Sequence, residues 1–132
     1  MTTKAKQPRT GANAYQRFAL STRNKDIPPD RILEFAALEI AGESGEFANM
    51  VYKVAFQGHA LEEYREKMVL ELGDIMWGLA NAAAELGVTL DEVMAANRTK
   101  LMARYSTGRF SVADSIARVD VAGDPYTWES GT

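Results

Sequence analysis

Two long stretches of this chain have the periodicity of α-helix, contain no proline and are separated by a single turn. The first runs from the break at Pro28-Pro29 to about Gln57, and the second spans residues 61–86. Gly58 supplies the stop between them. Because so short a connection leaves the two helices side by side, the sequence predicts an antiparallel helical hairpin.

Shorter helices extend this hairpin. One is predicted over residues 13–22, and another opens at the capping box of residues 89–92 and ends near Tyr105. The chain is therefore predicted to be all-α, an antiparallel bundle of four to five helices forming a single domain. The predicted divisions are a polar tail at residues 1–11, a helical body at residues 13–105 and an irregular C-terminal tail at residues 106–132.

Length and charge limit the partners of the chain. A chain of 132 residues buries only about two thirds of its unfolded surface, so we expect a homodimer or homotetramer to complete the core. A net charge of -3 argues against nucleic-acid binding, and no apolar run approaches the roughly 18 residues of a membrane span. Without cysteines or a signal sequence, the expected location is the cytoplasm.

Three glutamates lie in the packing seam of the first long helix. At about 100° per residue, one narrow face has spacings that alternate between four and three. Its members are Ile32, Ala36, Glu39, Glu43, Glu46, Met50 and Lys53. Carboxylates in such a seam cost on the order of several kcal/mol unless they are neutralised, so we expect a cation beside them.

The second long helix repeats the arrangement. Its polar face consists of Lys67, Glu71, Asp74, Gly78 and Asn81. Antiparallel packing can bring two pairs of carboxylates face to face, namely Glu43 and Glu46 with Glu71 and Asp74. Carboxylate oxygens are hard ligands that suit Mg²⁺, with Mn²⁺ as a substitute. Four of them predict more than one ion per site.

The same spacing also occurs on ordinary solvated faces, which is our interpretation of an isolated pair such as Glu62 and Glu66. The four carboxylates differ because E-x-x-E and E-x-x-D recur on successive seams, each with glycine at its third position, Gly45 and Gly73. Glycine inside a helix costs roughly 1 kcal/mol against alanine. We therefore expect another backbone or a ligand to approach closely at these glycines.

Polar donors line one face of the fourth predicted helix. Asn97, Lys100 and Arg104 share a narrow stripe there. Lysine offers phosphate a point charge, arginine can bridge two phosphate oxygens, and asparagine can bind a phosphate oxygen or a water. Lys and Arg are also common near helix C-termini for electrostatic reasons. Because a carboxylate site is also predicted, we interpret this stripe as a phosphate clamp.

Three segments carry this pattern, namely residues 38–46 (LEIAGESGE), 71–74 (ELGD) and 97–105 (NRTKLMARY). In order and spacing they resemble the MazG-like all-α nucleoside triphosphate pyrophosphohydrolase family, and the resemblance covers about residues 31–105. The size of the chain and its Tyr15-Gln16 opening also resemble compact stand-alone members carried by phages. Such a member would act in the host cytoplasm.

The resemblance implies hydrolysis of a nucleoside or deoxynucleoside triphosphate to the monophosphate and pyrophosphate, in a dimer or tetramer whose bundle shares helices between subunits. The implied Mg²⁺ ligands are Glu43, Glu46, Glu71 and Asp74. The implied phosphate-binding residues are Lys67, Asn97, Lys100 and Arg104. The expected catalytic residues are Glu43, Glu46 and Lys67, with one of the two glutamates taking the proton of the attacking water.

Base selection and two rival functions stay open. The candidates to contact a base are Tyr15, Gln16, Trp77 and Asn81, each equally compatible with a core or surface role. No residue singles out a base, and a purine deoxynucleotide such as dGTP is our working guess. A di-iron site is excluded because it needs two E-x-x-H motifs and the chain has one histidine, His59, which we expect to be exposed in a turn. A regulatory bundle or a nucleotide-sensing module would use the same helices without turnover.

Overall fold

The computed structural model describes residues 11–121, and all regular structure in this part of the chain is helical. The α-helices are α1 (Ala12–Ser21), α2 (Ile32–Phe56), α3 (Leu61–Glu85), α4 (Leu90–Arg104) and α5 (Val112–Ala117). Single 3₁₀ turns occupy Pro29–Arg31 and Val119–Val121. The prediction of an all-α chain is confirmed. The expected polar tail lies, apart from Gly11, outside the described residues.

The predicted glycine stop at Gly58 is confirmed by its backbone conformation, and Gly87 ends α3 in the same way. Gly58 and Gly87 have φ values of 73° and 74°, in the left-handed region that L side chains rarely adopt. At the end of α2 the amides of Gln57 and His59 both donate to the carbonyl oxygen of Lys53, at 3.0 and 3.3 Å. This cap closes α2 on the carbonyl of Lys53 and turns the chain back into α3.

Helices α2 and α3 form the predicted antiparallel hairpin. The two helices approach closely at Gly78 of α3, where an added Cβ would lie 2.7 Å from Cγ1 of Ile40 and 3.5 Å from the carbonyl oxygen of Ala36. The hydrogen that replaces a side chain at Gly78 lets the two backbones come together. The polar faces that flank this contact therefore share one side of the hairpin.

Helix α1 packs on α3 through a small core. The buried members of this core are Ala19, Ala80, Ala83 and Leu90. Gln16 reaches into it: its Nε2 donates to the carbonyl oxygens of Ala80 and Val88 at 3.3 and 3.1 Å, and its Oε1 accepts from the amide of Leu90 at 3.1 Å. One glutamine thus joins α1, α3 and the start of α4.

The chain divides into two compact units, Met1–Asp91 and Glu92–Thr132. The second unit corrects the prediction of an irregular tail, because α5 forms within it. Ser111 caps this helix by accepting a hydrogen bond from the amide of Asp114 at 3.0 Å, and Arg118 ends it in a left-handed conformation. The S-x-x-D pattern at residues 111–114 is the sequence signal for α5. Periodicity alone does not predict this helix, because six residues are too few to show a helical period.

The hairpin leaves many large apolar side chains exposed. On α2, Leu38 and Phe56 are 73% and 78% exposed, and on α3, Val69 and Leu70 are 63% and 67% exposed. Scattered exposed apolar residues are ordinary, whereas this many on two adjacent helices is typical of a face that contacts another protein surface. Within residues 11–121, no helix is both long enough and apolar enough to cross a membrane.

Candidate functional site

Three of the four predicted metal ligands meet on the polar side of the hairpin. Glu43 of α2 and Glu71 and Asp74 of α3 each offer one carboxylate oxygen, and these oxygens all lie within 4.8 Å of one another. Glu43 and Glu71 are half-buried, while Asp74 is exposed. Antiparallel pairing of the two seams produces this arrangement, as the spacing of the sequence predicted.

Glu71 has the most perturbed environment of the three. Its pKa is raised above the ordinary value of 4.5, first because the Glu43 carboxyl lies within hydrogen-bonding reach, then through burial and the charges of Glu43, Glu46 and Asp74. Its Oε2 is buried and has no hydrogen-bond partner among residues 11–121. Two carboxylates have no donor between them, so they must share a proton or a cation.

Glu46 lies near this group but outside the set of converging oxygens. Its charge contributes to the raised pKa of Glu71, and its side chain is exposed. Glu39, one turn before Glu43, is half-buried. The carboxylates that face one another most closely are therefore Glu43, Glu71 and Asp74, and Glu46 borders them from the solvent side.

The close approach expected at the two motif glycines is not present within the described chain. Nothing lies within 4 Å of a Cβ built at Gly45 or Gly73. The close backbone contact instead occurs at Gly78, one turn beyond Asp74. Gly45 and Gly73 lie on the two helices that pack together, as predicted. The close contact between these helices occurs at Gly78 instead of at either motif glycine.

The four candidate base contacts are mostly engaged within the fold. Asn81 is fully buried, where its Oδ1 accepts from Arg23 at 3.2 Å and its Nδ2 donates to the carbonyl oxygen of Trp77 at 2.9 Å. Trp77 packs edge-on against Phe35 and donates its indole N–H to Thr22 at 2.8 Å. Together with the buried Gln16, these residues hold α1, α2 and α3 together.

Tyr15 differs because its hydroxyl lies beside the carboxylates. It donates to the carbonyl oxygen of Gly73 at 3.3 Å, and the pKa of the phenol is raised by burial and by the nearby charge of Asp74. The residue sits on α1, at the end of the carboxylate group away from the hairpin turn. Of the four candidates, Tyr15 is the one with its polar atom near the site.

The predicted phosphate-binding residues fall in both units. Lys67 belongs to α3, is exposed and lies with its Nζ 6.0 Å from the centroid of the Tyr64 ring. Asn97 and Lys100 are exposed on α4, in the second unit. The fourth residue, Arg104, is half-buried at the end of the same helix.

Arg104 has a partner that was not predicted from the sequence. Its guanidinium donates two hydrogen bonds to the carboxylate of Asp120, at 2.6 and 2.5 Å. The Asp120 side chain is fully buried. The hydrogen bonds from Arg104 nevertheless lower the pKa of Asp120 to about 2, and the same hydrogen bonds raise the pKa of Arg104 above its ordinary value. The bidentate geometry is the one that arginine uses for phosphate, so Asp120 occupies the guanidinium edge that would receive it.

The donor set at Glu43, Glu71 and Asp74 fits a divalent cation of the Mg²⁺ or Mn²⁺ type. All the converging atoms are carboxylate oxygens, which these hard ions prefer. The buried, unpartnered Oε2 of Glu71 is an orphan atom for which a cation would supply the missing interaction. A proton on Glu71 is the competing solution, since it also relieves the repulsion among the carboxylates.

Comparisons with known proteins bear on the family to which the chain belongs. The family model of the MazG nucleotide pyrophosphohydrolase domain matches residues 33–109, which include all the predicted site residues. Among curated proteins, the gene 37 protein of Mycobacterium phage L5 is 37% identical over 78 residues, which are 58% of this chain and 68% of that protein. No solved structure matches the chain.

Proposed function

Since the chain belongs to the MazG nucleotide pyrophosphohydrolase domain family, we propose that it hydrolyses a nucleoside or deoxynucleoside triphosphate to the monophosphate and pyrophosphate, with Mg²⁺ as cofactor. The observation that carries this proposal is the convergence of carboxylate oxygens from Glu43, Glu71 and Asp74, within 4.8 Å of one another. More than one ion is expected once Glu46 also takes part, and Mn²⁺ is expected to substitute.

The chemistry follows from charge and position. Glu43, Glu71 and Asp74 would hold the Mg²⁺, which would neutralise charge on the triphosphate and lower the pKa of bound water. In the proposed reaction the water oxygen attacks the α-phosphorus, the bond from that phosphorus to the oxygen bridging to the β-phosphate breaks, and pyrophosphate leaves. Glu46 is our candidate for the base that takes the water proton, because it borders the carboxylates and is open to solvent.

We assign the triphosphate to Lys67, Asn97, Lys100 and Arg104. Lys67 lies one helical turn before Glu71, so its ammonium is on the same side of α3 as that carboxylate. This position supports the assignment of Lys67. Arg104 must exchange the Asp120 carboxylate for phosphate oxygens, an exchange between two similar bidentate partners. The described α4 residues Asn97 and Lys100 need no such exchange, since both are exposed.

The test is turnover with a panel of substrates. The purified protein is incubated with each of the eight common NTPs and dNTPs and Mg²⁺, with and without EDTA, and the products are separated by chromatography. Metal-dependent release of monophosphate and pyrophosphate supports the proposal and identifies the base, with dGTP as our guess. Glu46→Gln should lower kcat by at least about 100-fold, whereas Glu85→Gln, on the exposed end of α3, should retain wild-type activity.

A nucleotide-sensing module is the second candidate, because the same carboxylates could hold a metal-nucleotide complex without hydrolysing it. Intact nucleotides throughout the panel, together with Mg²⁺-dependent binding of one of them, would favour the sensor. Release of orthophosphate instead of pyrophosphate would contradict both. The family to which the chain belongs favours turnover.

We also assign the exposed apolar face of the hairpin to contact with a second copy of the chain. The core within one chain is small, and its fully buried members are mainly alanines. The exposed leucine, valine and phenylalanine side chains of α2 and α3 would complete that core in a homodimer or homotetramer. An apolar groove on the second unit, lined by Met94, Leu101, Tyr105 and Phe110, offers a further contact surface.

A further inference from the structure

Basic and aromatic side chains gather where α2 turns into α3. The group consists of Lys53, His59, Tyr64 and Lys67, and we call it the hairpin-end cluster. The Nζ atoms of Lys53 and Lys67 lie 5.9 and 6.0 Å from the centroid of the Tyr64 ring, so one ring brings together a lysine from each helix. Only Lys67 has a role in the site described above.

The turn itself holds the aromatic ring in place. Left-handed Gly58 directs the chain so that the amide of His59 donates to the carbonyl oxygen of Lys53. The His59 ring then lies 5.6 Å from that of Tyr64, with 3.0 Å between Nδ1 and the Tyr64 hydroxyl. His59 is exposed, as predicted from its place in a turn. Its contact with the hydroxyl makes it a positioning residue for Tyr64.

Neither lysine has a counter-ion in the part of the chain that the structure describes. Within residues 11–121 no carboxylate lies within 4 Å of either ammonium, and the nearby Glu62 is paired with Arg65 at 2.8 Å. A cation-π contact stabilises each ammonium only modestly, and like charges on one ring repel each other. A polyvalent anion would relieve that repulsion and bind both lysines at once.

We infer that the hairpin-end cluster binds the two terminal phosphates of the substrate and retains them as the pyrophosphate product. This inference rests on the proposed function. Lys53 lies two helical turns after Glu46 on the polar face of α2, and Lys67 lies one turn before Glu71 on α3. The cluster therefore continues the carboxylate group toward the turn, in the direction opposite to Tyr15.

The cluster thus sets the direction of the substrate along the hairpin. With the terminal phosphates at Lys53 and Lys67, the α-phosphate lies among Glu43, Glu71 and Asp74, where the water attacks. The nucleoside then extends toward α1. Lys53 should accordingly contribute to affinity for pyrophosphate and contribute nothing to affinity for the monophosphate.

Product inhibition tests this assignment. The variants are Lys53→Gln, Lys53→Arg and the matched control Lys25→Gln, an exposed lysine in the loop before α2. Inhibition of turnover is measured with inorganic pyrophosphate and, separately, with the monophosphate product. Lys53→Gln should weaken inhibition by pyrophosphate about tenfold, the loss of one charge-assisted contact, and leave inhibition by the monophosphate unchanged. Lys53→Arg and Lys25→Gln should match the wild type.

Two results would overturn the inference while the proposed function stands: unchanged inhibition by pyrophosphate in an active Lys53→Gln protein, or equal weakening of both inhibitors. A wild-type protein that hydrolyses no triphosphate overturns the proposed function and the inference with it. If Lys53→Gln does not fold in a thermal-unfolding check, Tyr64→Phe replaces it. That variant removes the hydroxyl that lies 3.0 Å from Nδ1 of His59, so the ring is less firmly positioned, and it should weaken inhibition by pyrophosphate alone.

Discussion

At the scale of single residues, Glu71 is, among the described glutamates, the one whose surroundings depart furthest from those of a surface glutamate. It is half-buried, faces Glu43 and has an oxygen with no partner. A surface glutamate on a helix has none of these features, because water satisfies its oxygens. In the metal-free protein this arrangement raises the free energy of the ionised Glu71 carboxylate. The same arrangement favours the binding of a cation.

Metal binding should therefore stabilise the protein, and Glu71 should be required for that effect. In the wild type, saturating Mn²⁺ should raise Tm by about 5–10 °C, the mass-action effect of a ligand that binds only the folded state. Glu71→Gln should lose most of this rise, because an amide removes the charge and one ligand oxygen. Thermal unfolding of both proteins with and without Mn²⁺ measures this rise in Tm. An equal rise in both proteins would exclude Glu71 as a ligand.

The raised pKa of Glu71 also predicts the pH dependence of the metal-free protein. A group whose folded-state pKa exceeds its unfolded value stabilises the fold below the unfolded pKa, and this stability is lost as pH rises through the folded pKa. In EDTA, the wild type should consequently lose stability as pH rises from about 4.5 through the native pKa of Glu71. The control is Glu71→Gln, which should lack this component. Parallel pH profiles of Tm for the two proteins would contradict the assignment.

At the scale of elements, the register of α2 against α3 decides which carboxylates meet. Gly78 fixes that register, since a side chain there would collide with Ile40. The spacing of E-x-x-E and E-x-x-D places carboxylates on the correct faces but allows several alignments along the helix axes. The observed contact at Gly78 selects the alignment in which Glu43 faces Glu71 and Asp74.

Gly78→Ala should destabilise the hairpin. Overpacking against Ile40 costs about 1–3 kcal/mol, which outweighs the roughly 1 kcal/mol that alanine gains over glycine in a helix. The matched control is Gly73→Ala, one turn earlier, where nothing lies within 4 Å of an added Cβ. It should be neutral or stabilising. Urea unfolding of the two variants checks the sign, and a stabilised Gly78→Ala would refute the close contact.

The end of α4 and the elements after it are joined by the pair of Arg104 and Asp120. The depressed pKa of Asp120 means that this pair contributes stability above the unfolded pKa of 3.8 and loses it only as pH falls toward 2. The pair is therefore intact throughout the physiological range. A phosphate that binds the Nε–Nη2 edge of Arg104 competes with an ionised aspartate.

At the scale of the whole molecule, the single chain leaves too much apolar surface uncovered for its small core. Leu70 is 67% exposed on α3, next to Val69. If this face contacts a second copy, a charge placed there must be desolvated on association, which costs several kcal/mol by rough estimate. The oligomer should then dissociate.

Leu70→Lys should accordingly shift the protein to a smaller species, measured by light scattering coupled to size exclusion. Val119→Lys is the matched control, because Val119 is 57% exposed outside the hairpin. It should keep the mass of the wild type. A wild-type protein that runs as a monomer, or an unchanged mass for Leu70→Lys, would rule out this face as the contact.

Periodicity and end signals in the sequence determined four of the helices and their stops to within a few residues. Helical spacing is a local property, and Gly58 and Gly87 act through their own backbone angles. The faces of the carboxylates followed from the same spacing. The short helix α5 was missed because six residues are too few to show a period, although Ser111 and Asp114 carried the capping signal.

Only the tertiary structure decided which side chains meet. The contact at Gly78, the burial of Gln16 and Asn81, the pairing of Arg104 with Asp120 and the gathering of Lys53, His59 and Tyr64 all depend on the alignment of separate elements. That alignment results from packing between residues far apart in the chain, which a pattern within one segment does not encode. Sequence spacing thus determined the chemical groups available to the site, and packing determined which of them lie within reach of one another.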